Sequence, residues 1–171
     1  GGTALTLVGA QTSNRNAKTA IYRLINPPSG TANVVVTLSG APGKGAVVGV
    51  TTFTGTHQVN PLNTYASAVG NSTTAAVNVP SASSELVFNV VSVQNQNVVN
   101  AAGQTQLWNV NTSSENTGAG ATKTGSAPTA TMSWTLAKDD WSMSAVSVKP
   151  VATADVQVSF TTPTLTPVLG S

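Results

Sequence analysis

Residues 130–136 read Ala130-Thr131-Met132-Ser133-Trp134-Thr135-Leu136, with Met132, Trp134 and Leu136 separated each time by a single hydroxyl residue. Successive side chains of a β-strand point to opposite faces, so this spacing predicts a strand that buries three large side chains and wets the other face. Further upstream, residues 85–93 are apolar on both faces. Leu86, Phe88 and Val90 fall on one, and Val87, Val91 and Val93 on the other. That pattern predicts a central strand covered from two sides.

Outward from these two segments, the chain keeps the same character. Val occurs 24 times and Thr 26 times, whereas the helix formers Glu, Lys and Arg are scarce. Strands are expected at 4–8, 19–25, 33–39, 46–54, 74–79, 85–93, 104–110, 129–136, 142–149 and 155–160. Turn clusters separate them: Asn26-Pro27-Pro28-Ser29-Gly30, Gly40-Ala41-Pro42-Gly43, Gly70-Asn71-Ser72 and the stretch 118–128. Residues 61–68 are given at most one helical turn. About ten short strands with turns between them predict an all-β protein, an antiparallel two-sheet β-sandwich of jelly-roll-like form. Residues 1–150 make the sandwich domain, and 151–171 form a C-terminal strand and Thr/Pro-rich arm.

Composition narrows the function classes. Of 171 residues only seven are basic and five acidic, so the surface is built of hydroxyls and amides. The net charge of +2 is spread over scattered cations, whereas phosphate recognition needs clustered Lys and Arg; nucleic acid is not an expected partner. No apolar run reaches the roughly 18 residues that a spanning helix requires. The chain has no cysteine, hence no disulfide and no thiolate metal site. Few Lys and Glu beside abundant Thr, Asn and Gly is the composition of exported surface and filament proteins, so an extracellular location is expected.

The inventory for catalysis is thin. His57 is the single histidine and lies in the polar run Thr54-Gly55-Thr56-His57-Gln58, which reads as a surface loop. No Gly-x-Ser-x-Gly elbow is present, and Gly40–Gly45 lacks the Gly-Lys-Ser/Thr ending of a phosphate loop. Paired carboxylates for glycoside hydrolysis would come from Glu85, Glu115, Asp139, Asp140 and Asp155. Asp139 and Asp140 are adjacent and read as a turn beside Lys138, with a calcium site as the minor alternative. The expectation is no enzyme and no cofactor. A glycan platform, should one exist, would draw on Trp108, Trp141, Tyr22 and Tyr65, while Trp134 reads as core. Two sequons, Asn71-Ser72-Thr73 and Asn111-Thr112-Ser113, fall in expected loops, and Lys18 and Lys149 are candidates for an isopeptide crosslink with no identifiable partner.

The tail alternates once more. Val156, Val158 and Phe160 are spaced by Gln157 and Ser159, and the Thr/Pro-rich run 161–169 carries Leu165, Val168 and Leu169. Proline at this spacing favours an extended chain and resists a central ladder. Two readings stay open: a last strand followed by a linker, or an arm that pairs with a neighbouring molecule.

The order of several motifs carries a resemblance. Gly1-Gly2-Thr3-Ala4-Leu5-Thr6-Leu7-Val8-Gly9 is followed by Ile21-Tyr22-Arg23-Leu24-Ile25-Asn26-Pro27-Pro28-Ser29-Gly30-Thr31. Then come Gly103-Gln104-Thr105-Gln106-Leu107-Trp108-Asn109, Met132-Ser133-Trp134-Thr135-Leu136, Trp141 and Ala145-Val146-Ser147-Val148-Lys149-Pro150. Over about residues 1–150 the chain resembles a β-sandwich module of large secreted or surface bacterial proteins and some phage structural proteins. The resemblance implies a jelly-roll-like fold and a structural, adhesive or carbohydrate-binding role, with no catalytic residues. Modules of this kind carry one or two strands before the Gly-Gly-Thr segment and close near Lys149-Pro150. The present sequence starts at that segment and continues past that close. An opening strand missing and a closing strand added is the arrangement that strand exchange requires. The expectation is therefore a self-assembling, pilus-like structural protein whose partners are copies of itself. Val156, Val158, Phe160, Leu165, Val168 and Leu169 would make the subunit contact. The alternatives are a carbohydrate-binding or adhesion module, with a glycan or cell surface as partner, and a phage surface or fibre domain.

Overall fold

The computed structural model describes residues 2–94, 98–112 and 116–151. Eight strands appear among them: β1 (Thr6–Thr12), β2 (Lys18–Arg23), β3 (Ala66–Pro80), β4 (Leu86–Gln94), β5 (Val98–Asn100), β6 (Thr105–Asn111), β7 (Asn116–Thr124) and β8 (Thr129–Val148). The protein is all-β and sandwich-like, as the alternation in the sequence implies. β1 and β2 form an antiparallel hairpin, and the remaining strands build an antiparallel sheet ordered β3-β8-β4-β7-β6, with β5 on β8.

The frame is the ribbon of β3 and β8, paired from Ala66↔Ala145 to Pro80↔Thr129. Its register steps from Ser72↔Asp139 to Thr74↔Thr135, so residues 136–138 of β8 stand against Thr73 alone. Such a bulge bends a strand and raises its twist. On its other edge β8 then takes two different neighbours, β5 at Leu136–Trp134 and β4 at Val148–Trp141. One long strand thereby serves both layers.

The main core lies between these layers. Val87, Val91 and Val93 of β4 and Met143 and Ala145 of β8 meet Met132, Trp134 and Leu136 from the other half of β8. Trp134 is fully buried, and its Nε1 donates across the layers to Asn89 Oδ1 at 2.8 Å. Asn89 in turn donates to the Ala121 carbonyl at 3.3 Å, so this buried amide is satisfied on both sides. β4 sits between β7 and β8, and its second face carries Phe88 against Ile21 of β2 and Val146. The strand that is apolar on both faces is thus the central one.

Several expectations are corrected. Residues 33–39 and 46–54 form no strand, because neither segment has a ladder partner among the described residues. Residues 129–136 and 142–149 are not two strands but parts of β8, and Asp139-Asp140 is no turn: both lie within that strand. Gly70-Asn71-Ser72 likewise lies inside β3, which carries the first sequon into a strand. The stretch read as a turn from 118 contains β7 up to Thr124. β5 was not anticipated. No helical turn occupies 61–68; Leu62 bridges Val148, and 66–68 begin β3. The expected strand 155–160, the arm residues Val156, Val158, Phe160, Leu165, Val168 and Leu169, and the acids Glu115 and Asp155 lie outside the described residues.

Candidate assembly groove

Among the described residues the second face of the sheet is only partly roofed. On one flank β2 lowers Ile21 onto Phe88 and Val146. On the other flank residues 46–53 cross the sheet without joining a ladder among the described residues. Val47 lies over Gly118, and the Trp108 indole is held between Gly49 and Gly120. A Cβ on either glycine would come within 2.3 or 2.4 Å of the indole carbons, so only glycine admits the ring there. Phe53 then meets Phe88 edge-on, with ring centroids 5.9 Å apart, and Phe88 meets Trp108 at 6.0 Å.

Between these flanks runs a groove of about 1910 Å³. Its walls include Val34, Val36, Leu38, Val48 and Val50, and Phe88, Val90, Trp108 and Val146 also line it. Val48 and Val50 are 57% and 61% exposed, and Val34, Val36 and Leu38 about half exposed. Small-molecule pockets span ~300–1,000 Å³, so this groove is on the scale of a chain segment. Backbone that joins no ladder among the described residues, beside bare aliphatic side chains, is the kind of surface to which another strand adds.

The β1–β2 hairpin that forms one flank is fastened mainly through hydroxyls. Thr19 Oγ1 lies 2.9 Å from Ser142 Oγ and 2.8 Å from Ser144 Oγ. The Tyr65 hydroxyl joins Ser144 Oγ at 2.7 Å, and Ser142 Oγ donates to the Gln11 carbonyl at 3.2 Å. Ser13 Oγ donates to the buried Asp140 carboxylate while accepting from the Ala17 N–H at 2.9 Å.

The structure disperses the residues singled out for chemistry. Trp141 is 6% exposed; its ring lies over Gly70 and its Nε1 donates to Ser72 Oγ at 3.0 Å, so it offers no face to a glycan. Tyr65 packs its ring on Gly9, and Trp108 is half-buried in its glycine slot. Only Tyr22 of the four stands well out, at 56% exposure. No shared platform results. His57 accepts the Val59 and Asn60 N–H groups at Nδ1, which fixes its own loop. Among the described residues no three metal-ligating side chains converge, and the candidate calcium pair gains no third acid.

Glu85 is used structurally. Its Oε2 accepts the Ala82 N–H at 3.0 Å and the Ser147 hydroxyl at 2.6 Å. Burial alone would raise its pKa, but hydrogen bonds from Ser147, Ala82 and Asn63 and the charge of Lys149 outweigh it and hold the carboxyl below its ordinary value.

Sequence reading did not identify the groove walls. The signal was present in Val34-Val35-Val36 and Val47-Val48, which are apolar on both faces and so call for cover from two sides. Comparison with protein-family models, with curated proteins and with solved structures finds no match to this chain.

Proposed function

We propose that this chain is a non-enzymatic extracellular structural subunit that assembles with copies of itself by β-strand donation, the arm 151–171 of one molecule entering the groove of the next. The observation that carries this reading is the groove, with two aliphatic segments, 33–39 and 46–54, that find no ladder partner among the described residues. Main-chain hydrogen bonds from an added strand would satisfy them, and alternate side chains of the donor would fill the apolar walls. The tail supplies such a sequence, with Val156, Val158 and Phe160 at every second position. A head-to-tail contact of this kind is heterologous and extends into a filament when its rotation does not close. The scarcity of Lys and Glu supports the extracellular assignment.

The test is deletion of residues 152–171 followed by electron microscopy and sedimentation. Filaments are expected from the full chain and single subunits from the truncated one, with capture restored by a peptide spanning 151–169. Filaments that persist unchanged without the arm would reject the proposal.

A further inference from the structure

Asn63, Glu85 and Lys149, none of which lines the groove, converge beside Val87 of the main core. Leu62 bridges Val148, with the Asn63 N–H donating to the Ser147 carbonyl at 2.9 Å and the Lys149 N–H to the Pro61 carbonyl at 2.7 Å. This short antiparallel ladder sets Asn63 opposite Ser147 and makes Lys149 its diagonal neighbour, a separation of about 7–8 Å that a long side chain spans. On the other edge of β8, Ser147 pairs with Val87, and both are fully buried. Glu85 lies just before β4, itself 9% exposed, and its Oε2 accepts the Ser147 hydroxyl. The Asn63 side chain hydrogen-bonds the same carboxylate, and the charge of the half-buried Lys149 acts on it. The Asn63 amide is also oriented. Its Oδ1 accepts the Thr64 N–H at 2.9 Å, which leaves Nδ2 as the donor to Glu85. The amide carbonyl is thereby polarised by an N–H, and the carboxylate stands beside the amide nitrogen.

We propose that Lys149 Nζ and Asn63 Cγ become joined as an intramolecular amide, with Glu85 as the acid–base that serves both. Glu85 takes one proton from the Lys149 ammonium, and the freed amine attacks Asn63 Cγ. As the Nζ–Cγ bond forms and the Cγ–Nδ2 bond breaks, a second proton passes from Nζ by way of Glu85 to Nδ2. Ammonia leaves and carries the first proton away as ammonium, so the carboxylate is regenerated and no oxidant, reductant or cofactor is consumed. The Thr64 N–H stabilises the charge that gathers on Oδ1 during the attack. The product ties the segment that leads into β3 to the residue that follows β8, two places far apart in sequence, and so restricts the unfolded chain as a disulfide does. It supplies a covalent link in a chain that has no cysteine to make one.

Mass spectrometry of the purified full chain tests this. The intact denatured protein should weigh less than its sequence by one ammonia, and tandem spectra of a digest should contain a branched peptide carrying both Asn63 and Lys149. Lys149→Arg keeps the charge beside Glu85 and removes the amine nucleophile, so it should show the full sequence mass. In Glu85→Gln the bond should form at least about a hundredfold more slowly. A parent chain at full sequence mass overturns the proposal. An ammonia loss that persists in Lys149→Arg overturns it as well, since that loss belongs to an asparagine cyclised on its own backbone. Bond formation in Glu85→Gln at the parent rate overturns the role given to Glu85. Where a variant fails to fold, the presence or absence of the branched peptide in the parent chain decides alone.

Discussion

At the scale of single residues, the interior depends on polar atoms placed where they have a partner. Trp134 and Asn89 hydrogen-bond across the core, and both are fully buried. Trp134→Phe keeps most of the apolar contact but leaves Asn89 Oδ1 without its donor, an expected loss of about 1–3 kcal/mol. Trp134→Ala adds a cavity and should cost about 3–5 kcal/mol. Urea midpoints measure both, and a Phe variant as stable as the parent would remove the cross-layer bond from this account. Glu85 makes the interior sensitive to acid. Its carboxyl is held below the ordinary value, so the folded chain binds this proton less readily than the unfolded chain, where Glu titrates near ~4.3. The stability it contributes is present above that pH and is lost as pH falls through its folded-state value. In Glu85→Gln the urea midpoint should start lower at neutral pH and fall less steeply on acidification; parallel pH profiles would contradict this.

At the scale of elements, small and polar residues mark bends and sockets as well as turns. Gly70-Asn71-Ser72 and Asp139-Asp140 both read as breaks, yet Asn71 and Ser72 pair with Asp140 and Asp139 beside the β3–β8 bulge. In β7, Gly118 and Gly120 are small because Val47 and the Trp108 indole occupy the space above them. Local sequence does not record such a guest, so the glycines of β7 read as a turn. Where side chains met only core, as with Met132, Trp134 and Leu136 or the two faces of β4, alternation alone located the strand and its buried side. The segments 33–39 and 46–54 are the converse case. Their strand-like sequence is matched by no ladder among the described residues, and strand formation there is expected to wait for a donor. Amide hydrogen exchange should find both segments poorly protected in the truncated chain, and at least about tenfold slower once the 151–169 peptide is bound. Unchanged exchange would separate them from the receiving surface.

At the scale of the whole molecule, the class and the central strand were legible from period-two spacing, while the groove was not. A vacancy between elements belongs to the topology that places β2 on one flank and 46–53 on the other, far apart in sequence. The hydroxyl contacts that hold the hairpin to the sheet are similarly non-local, linking Thr19 to Ser142 and Ser144. They have an environmental consequence. Serine, threonine and tyrosine hydroxyls stay neutral from acid to mild alkali, and neutral hydrogen bonds are little screened by dissolved ions. A seam made of them should hold as well in brine as in fresh water.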